Sequence, residues 1–107
     1  MSEQVKDPGQ LEHEAKFDAM IDAIGGPEKL RPALPVDIAD IKKALSGGDY
    51  YLNTIPLERW DAAAGRISMR SDDYRLWKDY PVAGLPMNLS YRVCMLKRAA
   101  QRLAATA

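Results

Sequence analysis

The sequence holds one cysteine and one histidine in 107 residues, and each scarcity closes off a class of chemistry. A lone Cys94 cannot form a disulfide within the chain. A zinc site needs about four ligands at suitable spacing, which His13 and Cys94 cannot supply alone. Cys94 as a nucleophile needs a lowered pKa and a paired base, and His13 is the one imidazole present. Cys94 therefore reads as a half-buried structural cysteine. His13, between Glu12 and Glu14, reads as a solvated residue on a helix face. No stretch approaches the ~20 apolar residues of a membrane span. Residues 1–7 lack the basic and apolar blocks of a signal peptide. A cytoplasmic protein with no membrane partner is the expectation.

Other chemical motifs are missing too. The glycine pairs Gly25-Gly26 and Gly47-Gly48 lack the Lys-Ser/Thr ending and wider spacing of a phosphate-binding loop, so they read as helix stops. Asp72-Asp73 has no further oxygen ligands in a calcium-loop pattern and reads as the negative start of a helix. With no constellation for catalysis, the expectation is a non-enzymatic chain with no cofactor and no metal.

The net charge is zero, yet the two ends differ in sign. Residues 1–28 carry Glu3, Asp7, Glu12, Glu14, Asp18, Asp22 and Glu28 against Lys6 and Lys16. From Pro81 onward there are Arg92, Lys97, Arg98 and Arg102 and no acid. Either the ends lie together and neutralise, or the basic end faces an acidic partner. Overall neutrality gives no general pull toward polyanions, which favours the first.

Alanine, leucine and methionine dominate, and valine and isoleucine form no alternating runs, so helix is favoured over sheet. The expected fold is all-α: a small single-domain bundle of about five short helices with at most one minor strand. Residues 1–9 are expected to be a flexible lead-in and residues 10–107 the helical domain. A first helix fits residues 10–24, with Leu11, Phe17, Met20, Ile21 and Ile24 as its stripe, and a short turn of helix follows at 28–30. Asp37 caps a second helix over 37–46 that carries Ile38, Ile41 and Leu45, with Gly47-Gly48 as its stop. A third begins near Pro56 with Thr54 as candidate cap, Leu57, Trp60 and Ala64 inward, and Gly65 as its stop. Residues 66–70 allow a short strand, and 72–80 a short helix with Leu76, Trp77 and Tyr80.

The last helix, residues 88–105, is the most legible. Leu89, Val93, Leu96, Ala100 and Leu103 recur at spacings of 4, 3, 4 and 3 and share one stripe. At about 100° per residue, Tyr91, Arg98 and Arg102 fall opposite, with Met95 near them. The predicted core contains Ile24, Ile41, Leu45, Leu57, Trp60, Leu76, Leu96, Ala100 and Leu103.

Ala23-Ile24-Gly25-Gly26, followed by Leu30, Leu34, Val36, Ile41 and Ala44, resembles the helix-turn-helix of small phage Cro-type repressors. Ile55-Pro56-Leu57-Glu58-Arg59 resembles the helix start that follows in some members. The likeness spans about residues 20–60. It implies that residues 37–46 form a recognition helix, with Lys42 and Lys43 nearest the phosphates or bases of duplex DNA.

Two functions follow. The first is a protein-binding module that presents Tyr91, Arg92, Met95, Arg98 and Arg102 to a larger protein or nucleoprotein complex, since arginine, tyrosine and methionine are enriched at interfaces. A phage or mobile-element inhibitor of a host system, such as a nucleic-acid-guided defence complex, fits this description. The second is a Cro-type DNA-binding regulator acting as a dimer through Lys42 and Lys43. A homodimer is possible on either reading. The supposed recognition helix sets Asp37 and Asp40 beside its two lysines, so charge favours protein binding.

Overall fold

The structure is a computed structural model that describes residues 8–66 and 89–106. In chain order these form α1 (Pro8–Ile24), a 3-10 helix (Pro27–Ala33), α2 (Ile38–Ser46), α3 (Leu57–Arg66) and α4 (Leu89–Thr106). The described residues contain no strand, and the fold is the all-α bundle that the composition predicts. The strand expected at 66–70 falls outside them apart from Arg66, which is helical and belongs to α3. The helix expected at 72–80, with Leu76 and Trp77, lies outside them entirely.

Helix α1 starts at Pro8, two residues earlier than expected. Proline suits a first helical turn, where its missing N–H would have had no partner. The helix ends where Gly25 and Gly26 both donate to the Ile21 carbonyl, at 3.2 and 2.8 Å. Gly26 has φ +100°, a conformation that side chains resist, so the sharp exit depends on glycine there.

The helical turn expected at 28–30 is a seven-residue 3-10 helix that includes Pro32. Proline lacks the N–H for an α-helical bond and its ring collides with the carbonyl four residues back, so no α-helix continues through it. Three residues per turn stack Arg31 over Glu28, and the guanidinium donates to both carboxylate oxygens at 2.8 and 2.9 Å. Both side chains are solvated, and such a pair contributes little.

Helix α2 matches expectation. Asp37 Oδ1 accepts the Asp40 N–H at 3.0 Å, which satisfies one of the helix's open donors. Ile41 points fully inward. In α3 the carbonyl of Pro56 accepts the N–H groups of Arg59 and Trp60. Thr54, the expected cap, instead donates its backbone N–H to the Asp49 carboxylate. Gly65 does not stop the helix, which runs on to Arg66.

Helix α4 is the hub: α1, the 3-10 helix, α2 and α3 all pack on it. Val93, Met95, Leu96, Ala99, Ala100, Gln101, Leu103 and Ala104 are buried along it. At 3.6 residues per turn, these positions cover roughly two thirds of the helix circumference. The expectation of one buried stripe is therefore too narrow, and Met95, expected outward, is fully buried. Alanines at 99, 100 and 104 add little bulk, which allows several helices to approach one axis.

Around this hub the core gathers Phe17, Met20 and Ile21 of α1, Leu30, Ile41, Leu52, Ile55 and Trp60. Ile24 and Leu45 are partly buried against it. Three expected packing residues face solvent instead: Leu11, Leu57 and Leu89 are 51%, 61% and 41% exposed. Each lies in the first turns of its helix. Further along α3, Lys97 of α4 lies over the Trp60 ring and Arg92 reaches the Ala64 carbonyl.

Candidate functional site

Acidic α1 lies on basic α4. Arg98 donates to both oxygens of Asp18, from Nε at 2.8 Å and Nη2 at 3.0 Å, and lies 3.9 Å from Glu14. Arg102 Nη2 donates to Asp22 at 2.8 Å and its Nη1 lies 3.5 Å from Asp18. Asp18 and Asp22 are four residues apart, as are Arg98 and Arg102, so the two rows rise in step, one turn per pair. The bond from Asp18, reinforced by the charges of Asp18 and Glu14, outweighs burial and raises the Arg98 pKa further. Of the two arrangements that the uneven charge allows, this is the first: the ends lie together and neutralise.

The connection from α2 to α3 is held at several points. The Asp49 carboxylate accepts the Thr54 N–H. Burial pushes the Asp49 carboxyl up, but bonds from Asn53 and Thr54 and the charge of Lys97 outweigh it and hold it below the usual aspartate value. Leu52 is fully buried with φ +60°, in the left-handed region that leucine rarely occupies. Its carbonyl accepts the Trp60 indole N–H at 3.3 Å. The carbonyl of Tyr50 accepts from the Gln101 amide of α4. Strained backbone persists only where its surroundings fix it, and here they do. The fixed loop projects Tyr51, 43% exposed, with Tyr50 edge-on to it at 5.5 Å.

Between this loop and α1 runs an open groove of about 780 Å³. One wall carries His13 and Phe17 of α1, the other Tyr51 and Asn53 of the loop, and Tyr91, Cys94, Lys97 and Gln101 of α4 form the floor. The rings form a chain: His13 stacks on Phe17 at 6.4 Å, and Phe17 meets Tyr91 at 6.1 Å. Lys97 donates to Asn53 at 3.2 Å and sits 5.7 Å from the Trp60 ring centre. Cys94 is exposed on the floor, and burial of its surroundings raises the thiol pKa more than Lys97 lowers it. A raised pKa leaves little thiolate at neutral pH and makes a poor nucleophile. Among the described residues no three His, Cys, Asp or Glu side chains come together as a metal site. None of the described helices is long and apolar enough to cross a membrane.

The residues singled out from sequence are scattered by this geometry. Tyr91 lies half-buried on the groove floor. Arg92 is half-buried and reaches the Ala64 carbonyl at the end of α3 at 3.5 Å, a weak contact. Met95 is in the core, while Arg98 and Arg102 are engaged by α1. The five therefore do not form one outward face. Lys42 and Lys43 are exposed on α2 and do not line the groove, and Asp37 and Asp40 are exposed on the same element. Sequence reasoning does not bring out Phe17, Tyr51 and Lys97 as residues that line one groove with Tyr91. The Tyr50-Tyr51 pair between two helices was the available signal.

No family model, curated protein or solved structure matches the chain.

Proposed function

We propose that the chain is a non-enzymatic protein-binding module that takes a segment of a larger protein or nucleoprotein partner into the groove. The observation that carries this reading is the aromatic lining, with Phe17, Tyr51 and Tyr91 around an open space and Tyr51 fixed in advance by its loop. Tyrosines held in place give large contact area at small ordering cost, which is the usual character of binding hot spots. The charged lining groups are Lys97 and Arg98 against Glu14, one cation in excess. The occupant that fits is a polypeptide segment with an apolar or aromatic side chain beside a carboxylate, the first for the rings and the second for Lys97. In the phage or mobile-element setting that the Cro-type resemblance implies, the partner is a host complex, for example a nucleic-acid-guided defence complex, inhibited or modulated by the chain.

A second reading, a Cro-type regulator on duplex DNA, is favoured by the exposure of both Lys42 and Lys43 on α2. Asp37 and Asp40 beside them offset their charge, and neutralised phosphates supply most DNA affinity. A pull-down from host lysate, with and without nuclease and at two salt concentrations, separates the two. The protein-binding reading expects one discrete complex that survives nuclease and salt and is lost in Tyr51→Ser and Tyr91→Ala variants of unchanged fold. Recovery of duplex DNA alone, lost at higher salt and in Lys42→Ala/Lys43→Ala, reverses the assignment.

A further inference from the structure

The two groove walls are joined by one polar chain across the floor. Asp18 on α1 accepts two bonds from Arg98, at 2.8 and 3.0 Å. The same guanidinium donates from Nη1 to Gln101 Oε1 at 3.1 Å. The Gln101 amide nitrogen in turn donates to the Tyr50 carbonyl, next to Tyr51. Gln101 is 8% exposed, so water competes weakly for these bonds. Arg98 keeps one fixed orientation because three donors are used at once, and an amide has one oxygen and one nitrogen to turn toward its two neighbours.

We infer that Arg98 and Gln101 are positioning residues that couple the α1 wall to the Tyr51 wall, so that a shift of either changes the other. This rests on the groove being the docking site for its functional meaning. The coupling itself is a property of the free chain. A segment that wedges against Phe17 and moves α1 thereby alters the hold on Tyr51, and a segment gripped by Tyr51 firms the seat of α1. Arg102 provides the internal contrast: it binds Asp18 and Asp22 of α1 but has no bond to Gln101 or to the loop.

The test is residue-resolved amide hydrogen exchange on the free protein. Asp18→Asn weakens the α1 end of the chain without adding bulk. It is expected to speed exchange at the Leu52 and Thr54 amides, on the opposite wall, by about five- to tenfold, the size of coupling found between residues in one network. Asp22→Asn, which loosens the same helix through Arg102, leaves those amides unchanged. In a Gln101→Glu background, which keeps an acceptor for Arg98 but removes the donor to Tyr50, Asp18→Asn no longer affects the loop. Equal responses to Asp18→Asn and Asp22→Asn, or a response that persists with Gln101→Glu, overturns the inference. Because no partner is present, failure here leaves the docking reading standing, and failure of docking leaves the coupling standing.

Discussion

The indole of Trp60 donates to the carbonyl of Leu52 at 3.3 Å, tying the first turns of α3 to the one non-glycine residue of positive φ among the described residues. Both residues are fully buried, so neither end of that bond has water as a substitute. The indole is thus part of what holds the leucine in its left-handed conformation, and through it the position of Tyr51.

Trp60→Phe tests this relation. The substitution keeps a ring in the core but removes one of the two donors to the Leu52 carbonyl, which retains the Ile55 N–H at 3.2 Å, and leaves a small void beside it. A loss of about 1–3 kcal/mol is expected from the lost hydrogen bond and the missing volume together. Thermal melting measures it, and an unchanged midpoint contradicts the assigned role of the bond.

Leu96→Ala is expected to cost about 2–5 kcal/mol, because the side chain is fully buried in the hub helix. Leu57→Ala, at an exposed position, is expected to fall within about 0.5 kcal/mol of the parent. Urea unfolding of the two variants side by side checks the contrast, and comparable losses at both positions contradict the packing described.

These two leucines also mark how far the sequence could be read. Asp37, Gly47 and Gly48 announced α2, and the 4–3 spacing announced the buried side of α4, because caps and periodicity are local signals. Ile41, Trp60, Leu96, Ala100 and Leu103 face inward as those signals predict. Leu57 departs from its predicted inward position because periodicity gives a direction around a helix but not how far along it the neighbour extends. Met95 departs from its predicted outward position because a helix surrounded by others buries more than one stripe, and its alanines carry little hydrophobic contrast. The α1–α4 pairing had a readable signal in the matching four-residue spacings of Asp18–Asp22 and Arg98–Arg102. Leu52 had none, since nothing local marks a leucine for positive φ. The groove joins residues from 9–17, 51–53 and 90–101, and that closeness exists only in the folded chain.

Asp49 gives the fold a pH dependence of known sign. Its folded pKa lies below the ordinary aspartate value of 3.8, so the charged form is bound more strongly in the folded state. The stability it contributes is fully present above that value and is lost as pH falls through the lower folded pKa. Melting temperature measured from pH 6 down to pH 2 is expected to fall less steeply in Asp49→Asn than in the parent at the acid end. Identical slopes contradict the assignment.

The groove as a docking site is tested most directly by a photo-crosslinking phenylalanine analogue placed at position 51, with position 57 as control, in cell lysate. Position 57 is more open to solvent than position 51 but lies outside the groove. The expected result is one discrete crosslinked protein from position 51, competed by excess unlabelled chain and absent from position 57. Matching products from both positions, or crosslinks only to nucleic acid, would contradict it.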